Sequence, residues 1–92
     1  MNDILLAKAI KAARQTIEIG TLVERIKPLL AGRDPTVQSA VLADLLALWL
    51  AAYPRFARRG LLQTHLDLVE ELVTCNEKEL FGEAGHPQKE PM

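Results

Sequence analysis

Residues 40–53 read AVLADLLALWLAAY, and 13 of these 14 residues are apolar. A helix at the surface of a globular protein needs about three apolar positions in seven, or about six in a segment of this length. Leucine and alanine favour helix over strand. The segment therefore predicts a helix whose apolar face is about twice as broad as the stripe that normally faces a core.

A membrane span is one alternative explanation for so apolar a segment. A span needs about 20 apolar residues, and extending the segment upstream adds the polar residues Gln38 and Ser39. Asp44 near its centre would cost about 2.5–3.5 kcal/mol on the membrane-insertion scale. We therefore predict that this helix does not cross a membrane.

A helical wheel separates an alanine side, which includes Asp44, from a broad face of large residues. The alanine side meets water at little cost, whereas contiguous exposed leucines are typical of contact sites. We therefore predict a two-fold homodimer in which this helix is central. The predicted interface residues are Val41, Leu45, Leu48, Trp49 and Tyr53. The alternative is a monomer whose other helices wrap the central helix from both sides.

The N-terminal third of the chain predicts two helical pieces. The first is expected over residues 3–19 and the second over residues 22–30. Gly20 favours a break or kink between them, because Thr21 and Glu24 have the spacing of a capping box. The alternative is one continuous helix, in which glycine costs about 1 kcal/mol relative to alanine.

The central helix has clear boundary signals. Gly32 suits the left-handed end of the preceding helix, Asp34 suits an N-cap, and Pro35 suits the first helical position. The central helix should end near Tyr53, before a connector over residues 54–60 that has room for one helical turn.

The last helix is expected over residues 61–80, with Gly82 as its stop. Its inner stripe contains Leu62, His65, Leu66, Val69, Leu72, Val73, Asn76 and Leu80. Residues 83–92 have two prolines and no apolar periodicity, so we expect a flexible tail. The whole pattern predicts an all-α fold, a small bundle of three to four helices forming a single domain over residues 1–82.

Length, charge and cysteine content exclude several classes of protein. The chain has 92 residues, which suits one small domain, and its 49% apolar content is too high for a disordered chain. A formal net charge of −1 disfavours nucleic acid as a partner without excluding it. One cysteine forms neither an intramolecular disulfide framework nor a multi-cysteine zinc site. Since the first residues also lack a secretory pattern, we expect a cytoplasmic protein.

The sequence contains one dense basic cluster and no catalytic motif. Arg55, Arg58 and Arg59 suit an anion-binding site, or alternatively a solvated loop. No phosphate loop, nucleophile elbow or metal-binding motif is present, so we predict no cofactor and no metal site. Asp44 and His65 are isolated candidates for acid–base or ligand chemistry, and each also has a structural interpretation as a solvated carboxylate or a core-edge imidazole.

These patterns favour a non-enzymatic protein-interaction or regulatory module that acts as a homodimer. The alternative is a module that binds an anion or nucleic acid through Arg55, Arg58 and Arg59. A third hypothesis is a small enzyme or ligand-binding bundle that uses Asp44 or His65, which would require a closed polar pocket at either residue. Enzymatic activity is thus disfavoured, and the identity of any second protein partner is left open.

Overall fold

The computed structural model describes residues 3–88, and regular secondary structure within this range is entirely helical. Helix α1 spans Asp3–Leu30, helix α2 spans Pro35–Ala51, and helix α3 spans Arg55–Phe81. The predicted all-α class is confirmed, with three helices among the described residues.

The chain divides into two compact units, Met1–Leu42 and Ala43–Met92. The first unit holds α1 and the beginning of α2, and the second holds the remainder of α2 and α3. The single domain expected over residues 1–82 stays a prediction. Among residues 3–88, no apolar side chain is fully buried.

Helix α1 continues through Gly20, so the predicted break at this position is wrong. Thr21 Oγ1 donates a hydrogen bond to the carbonyl oxygen of Ile17 at 2.9 Å, one turn earlier in the same helix. Glu24 Oε1 accepts a hydrogen bond from Lys27 Nζ at 2.8 Å. Both side chains of the expected capping box therefore form hydrogen bonds within one continuous helix. The helix tolerates the loss of about 1 kcal/mol in stability that one glycine causes relative to alanine.

The turn between α1 and α2 has the chemistry predicted for it. Gly32 has a φ of 75°, Asp34 Oδ1 accepts a hydrogen bond at 2.8 Å from the amide two residues later, and Pro35 is the first residue of α2. The Gln38 side chain donates to the carbonyl oxygen of Leu30 at 2.8 Å. The end of α1 and the start of α2 are thus both capped locally, which confirms this boundary.

Gly20 and Gly32 provide a matched test of these two backbone assignments. A Cβ added at Gly20 meets no atom within 4 Å, so we expect Gly20→Ala to raise the free energy of unfolding by about 1 kcal/mol. Gly32→Ala should lower it by about 1 kcal/mol, because alanine is strained at positive φ. Urea unfolding followed by circular dichroism measures both variants. A Gly20→Ala protein less stable than the parent would contradict a continuous α1.

Helix α3 begins at Arg55, so the predicted connector over residues 54–60 is wrong. Pro54 has a φ of −60° and a ψ of 149°, and its carbonyl oxygen accepts a hydrogen bond at 3.0 Å from the amide three residues later. Its fixed φ and missing N–H make proline compatible with a position just before a helix. Because α2 ends at Ala51, earlier than the expected Tyr53, the link between α2 and α3 is a short turn.

Helix α3 ends at Phe81, and Gly82 is the stop that the sequence predicts. Gly82 has a φ of 83°, and its amide donates to a carbonyl oxygen of the last helical turn at 2.8 Å. Beyond it, the ring of His86 packs edge-on against that of Phe81, with centroids 4.7 Å apart. The flexibility expected for residues 83–92 stays a prediction, and residues 89–92 lie outside the described range.

Candidate interaction surface

The predicted interface residues all carry exposed side chains. Leu45 and Leu48 lie on α2 in the second unit, with 53% and 63% of their surfaces exposed. Trp49 and Tyr53 are exposed to a smaller extent, and so is Val41, which belongs to the first unit. We name Leu45, Leu48 and Trp49 of α2, together with Tyr53 in the turn that follows, the α2 face. These side chains are therefore exposed in the single chain, and the homodimer interface that they are expected to form stays a prediction.

On the opposite side of α2, the part that belongs to the second unit carries small side chains and one carboxylate, all exposed to solvent. Asp44 is exposed, as are Ala43, Ala47 and Ala51. A solvated carboxylate lacks the buried surroundings that prepare an acid for catalysis. Among residues 3–88, no group of three or more histidine, cysteine or acidic side chains is placed to hold a metal ion.

Trp49 is the centre of the packing between the end of α2 and the start of α3. Its ring centroid lies 5.4 Å from that of Tyr53 in an edge-to-face arrangement, and 5.5 Å from that of His65. Aromatic pairs of this geometry contribute about 0.5–1.5 kcal/mol beyond the area they bury. His65 is half-buried in this contact, which agrees with its structural interpretation as a core-edge residue.

Arg58 caps the C-terminal end of α2. Its Nε donates to the carbonyl oxygens of Leu50 at 3.1 Å and Tyr53 at 3.0 Å, and its Nη2 donates to that of Ala51 at 3.1 Å. The last carbonyls of a helix lack helical partners and form the negative end of its dipole. A guanidinium there satisfies the carbonyls and neutralises the partial charge. Sequence reasoning missed this role because Arg58 lies in the next helix.

Arg55 and Arg59, the other members of the predicted anion site, remain exposed. Neither side chain has a hydrogen-bond or ion-pair partner among residues 3–88. Phe56 beside them exposes 90% of its surface, the largest fraction for any large apolar residue in that range. The structure therefore directs Arg58 towards α2 and leaves two arginines in solvent. An anion site at these residues stays a prediction.

The inner stripe of α3 becomes more exposed towards its C-terminal end. Leu62 and His65, the first two members of the stripe, are half-buried. Later stripe residues are all exposed, and Leu80 reaches 74%. The exposed apolar members are Leu66, Val69, Leu72, Val73 and Leu80. The second unit therefore presents a second apolar surface besides the α2 face.

Within residues 3–88, none of the helices combines the length and the apolar character that crossing a bilayer requires. No protein-family model matches the chain, and comparisons with curated proteins and with solved structures find no significant match. Function is therefore inferred from the exposed side chains themselves.

Proposed function

We propose that this chain is a non-enzymatic interaction module that acts as a homodimer, with the α2 face packed against a second copy. The observation that carries the proposal is the exposure of Leu45 and Leu48 in a chain whose described residues include no buried apolar side chain. Burying a leucine is worth about 1.5–3 kcal/mol relative to leaving it in water. A second copy supplies an equally apolar face, so one isologous contact covers both.

The polar residues favour contact over catalysis in this proposal. Asp44 is solvated, the His65 ring packs on Trp49, and the donors of Arg58 serve the end of α2. Cys75 is an exposed free thiol, which suits a reducing compartment. We accordingly place the module in the cytoplasm.

Light scattering on the purified chain tests the proposed assembly. At tens of micromolar, the expected mass is twice the 10.2 kDa of one chain, and it should decrease only on strong dilution. A single-chain mass at that concentration would overturn the proposal, because the α2 face would then remain in water without a second copy.

A further inference from the structure

Helix α3 carries opposite charges at its two ends. Residues 55–59 contain three arginines and no acidic residue, whereas residues 67–79 contain five acidic residues and one lysine. Except for half-buried Arg58, these charged side chains are exposed. Two parallel copies of α3 would place acidic ends side by side, whereas antiparallel copies place the basic start of each beside the acidic end of the other. Charge complementarity therefore favours an antiparallel pair.

One face of α3 has a heptad spacing that reads the same in both directions. Its positions, which we name the heptad line, are Arg55, Arg59, Leu62, Leu66, Val69, Val73, Asn76 and Leu80. Successive steps alternate between four and three residues, the spacing at which two helices interdigitate. Because the series of steps is palindromic, a second copy of α3 that runs antiparallel places its own heptad-line residues at the same positions along the common axis.

The apolar part of the heptad line is available for such a contact. Leu62 is half-buried, whereas the other apolar members expose between 40% and 74% of their surfaces. Those members are Leu66, Val69, Val73 and Leu80. A single helix from a second copy can cover this line, since heptad positions share one side of the helix.

We infer that two copies of this chain pair their α3 helices antiparallel, about a two-fold axis that passes near the middle of α3. The inference rests on the proposed homodimer and specifies its geometry. Leu66 of one copy faces Val69 of the other, and Arg59 of one copy lies beside Glu77 of the other. Each of these contacts occurs twice, because a two-fold interface is isologous.

Distances between paired spin labels test the direction of the helices. Single cysteines replace Phe56, Asp67 or Lys78 in a Cys75→Ser background, and each protein carries one nitroxide per chain. All three sites are exposed and lie off the heptad line. In the antiparallel pair, the axial separation of the two labels grows by about 3 Å for every residue between the site and the axis. We expect the shortest distance at Asp67, and axial offsets of about 30 Å at Phe56 and Lys78.

The outcomes separate this inference from the proposed dimer. A dimeric mass with equal distances at the three sites would show parallel helices and overturn the inference alone. A dimeric mass with a long distance at Asp67 would place the interface away from α3, with the same consequence. A single-chain mass would overturn both the inference and the proposed function.

A charge exchange tests the pairing of the helix ends independently. Arg59→Glu should raise the dissociation constant of the dimer about three- to tenfold, because two exposed ion pairs become repulsive. Adding Glu77→Arg in the same chain should restore the original value. A double variant whose dimer dissociates as readily as that of Arg59→Glu would contradict the pairing of Arg59 with Glu77.

Discussion

Leu48→Glu is expected to dissociate the dimer, raising its dissociation constant at least about 100-fold. Leu48 lies on the α2 face with 63% of its surface exposed, so the proposed second copy provides most of its burial. Losing that burial costs about 1.5–3 kcal/mol per leucine, and a two-fold interface loses two of them. Together these losses exceed the roughly 2.8 kcal/mol that correspond to a hundredfold change in affinity.

Ala47→Glu is the matched control for Leu48→Glu. Ala47 is the neighbouring residue on the alanine side and is also exposed, so the same charge enters the same helix away from the α2 face. Light scattering over a dilution series measures the dissociation constants, and circular dichroism measures the helix content of each variant. If both variants dimerise as tightly as the parent, or if both weaken equally, the α2 face is not the interface.

Trp49 is a less selective target than Leu48. Its ring contacts both Tyr53 and His65 within the chain, so a charged residue there would disturb the packing of α2 on α3 as well as any second copy. Leu48 has no such aromatic contacts. A loss of dimer with unchanged helix content in Leu48→Glu therefore reports the interface rather than folding.

Helix ends with a local chemical signal were predictable from the sequence. The turn at Gly32, Asp34 and Pro35 and the stop at Gly82 depend on backbone conformations and caps that a few neighbouring residues determine. Gly20 misled the prediction because the same Thr21 and Glu24 that form a capping box also form contacts inside a continuous helix. Local spacing does not decide between these two arrangements.

The start of α3 shows a different limit of local prediction. Residues 54–60 combine a proline, a glycine and three arginines, a composition that suits a loop as well as a helix. The helical outcome coincides with the cap that Arg58 provides to the end of α2, a contact that exists only when both helices are in place. The breadth of the apolar face of α2 was predictable because it follows from the residues of that helix alone, whereas the role of Arg58 depends on packing.

Arg58→Ala is expected to lower the free energy of unfolding by about 2 kcal/mol. The substitution removes hydrogen bonds to two carbonyl oxygens at the end of α2 and to one in the turn that follows, together with a positive charge at the negative end of that helix. Water replaces part of this interaction, which keeps the loss below the sum of three charge-assisted bonds. Arg58→Lys should recover only part of the stability, because an ammonium group lacks the planar fork that spans several acceptors.

Arg59→Ala is the control for Arg58→Ala, with both substitutions made in the Leu48→Glu background, where the second copy and its Glu77 are expected to be absent. Within the chain, the Arg59 side chain is exposed and has no partner among residues 3–88. Its substitution should change the unfolding free energy by less than about 0.5 kcal/mol. Urea unfolding at one fixed protein concentration compares the variants, because the stability of a dimer depends on concentration. If Arg58→Ala instead matched Arg59→Ala, the guanidinium of Arg58 would not be committed to α2. It would then be available, with Arg55 and Arg59, to the anion site that the sequence predicts.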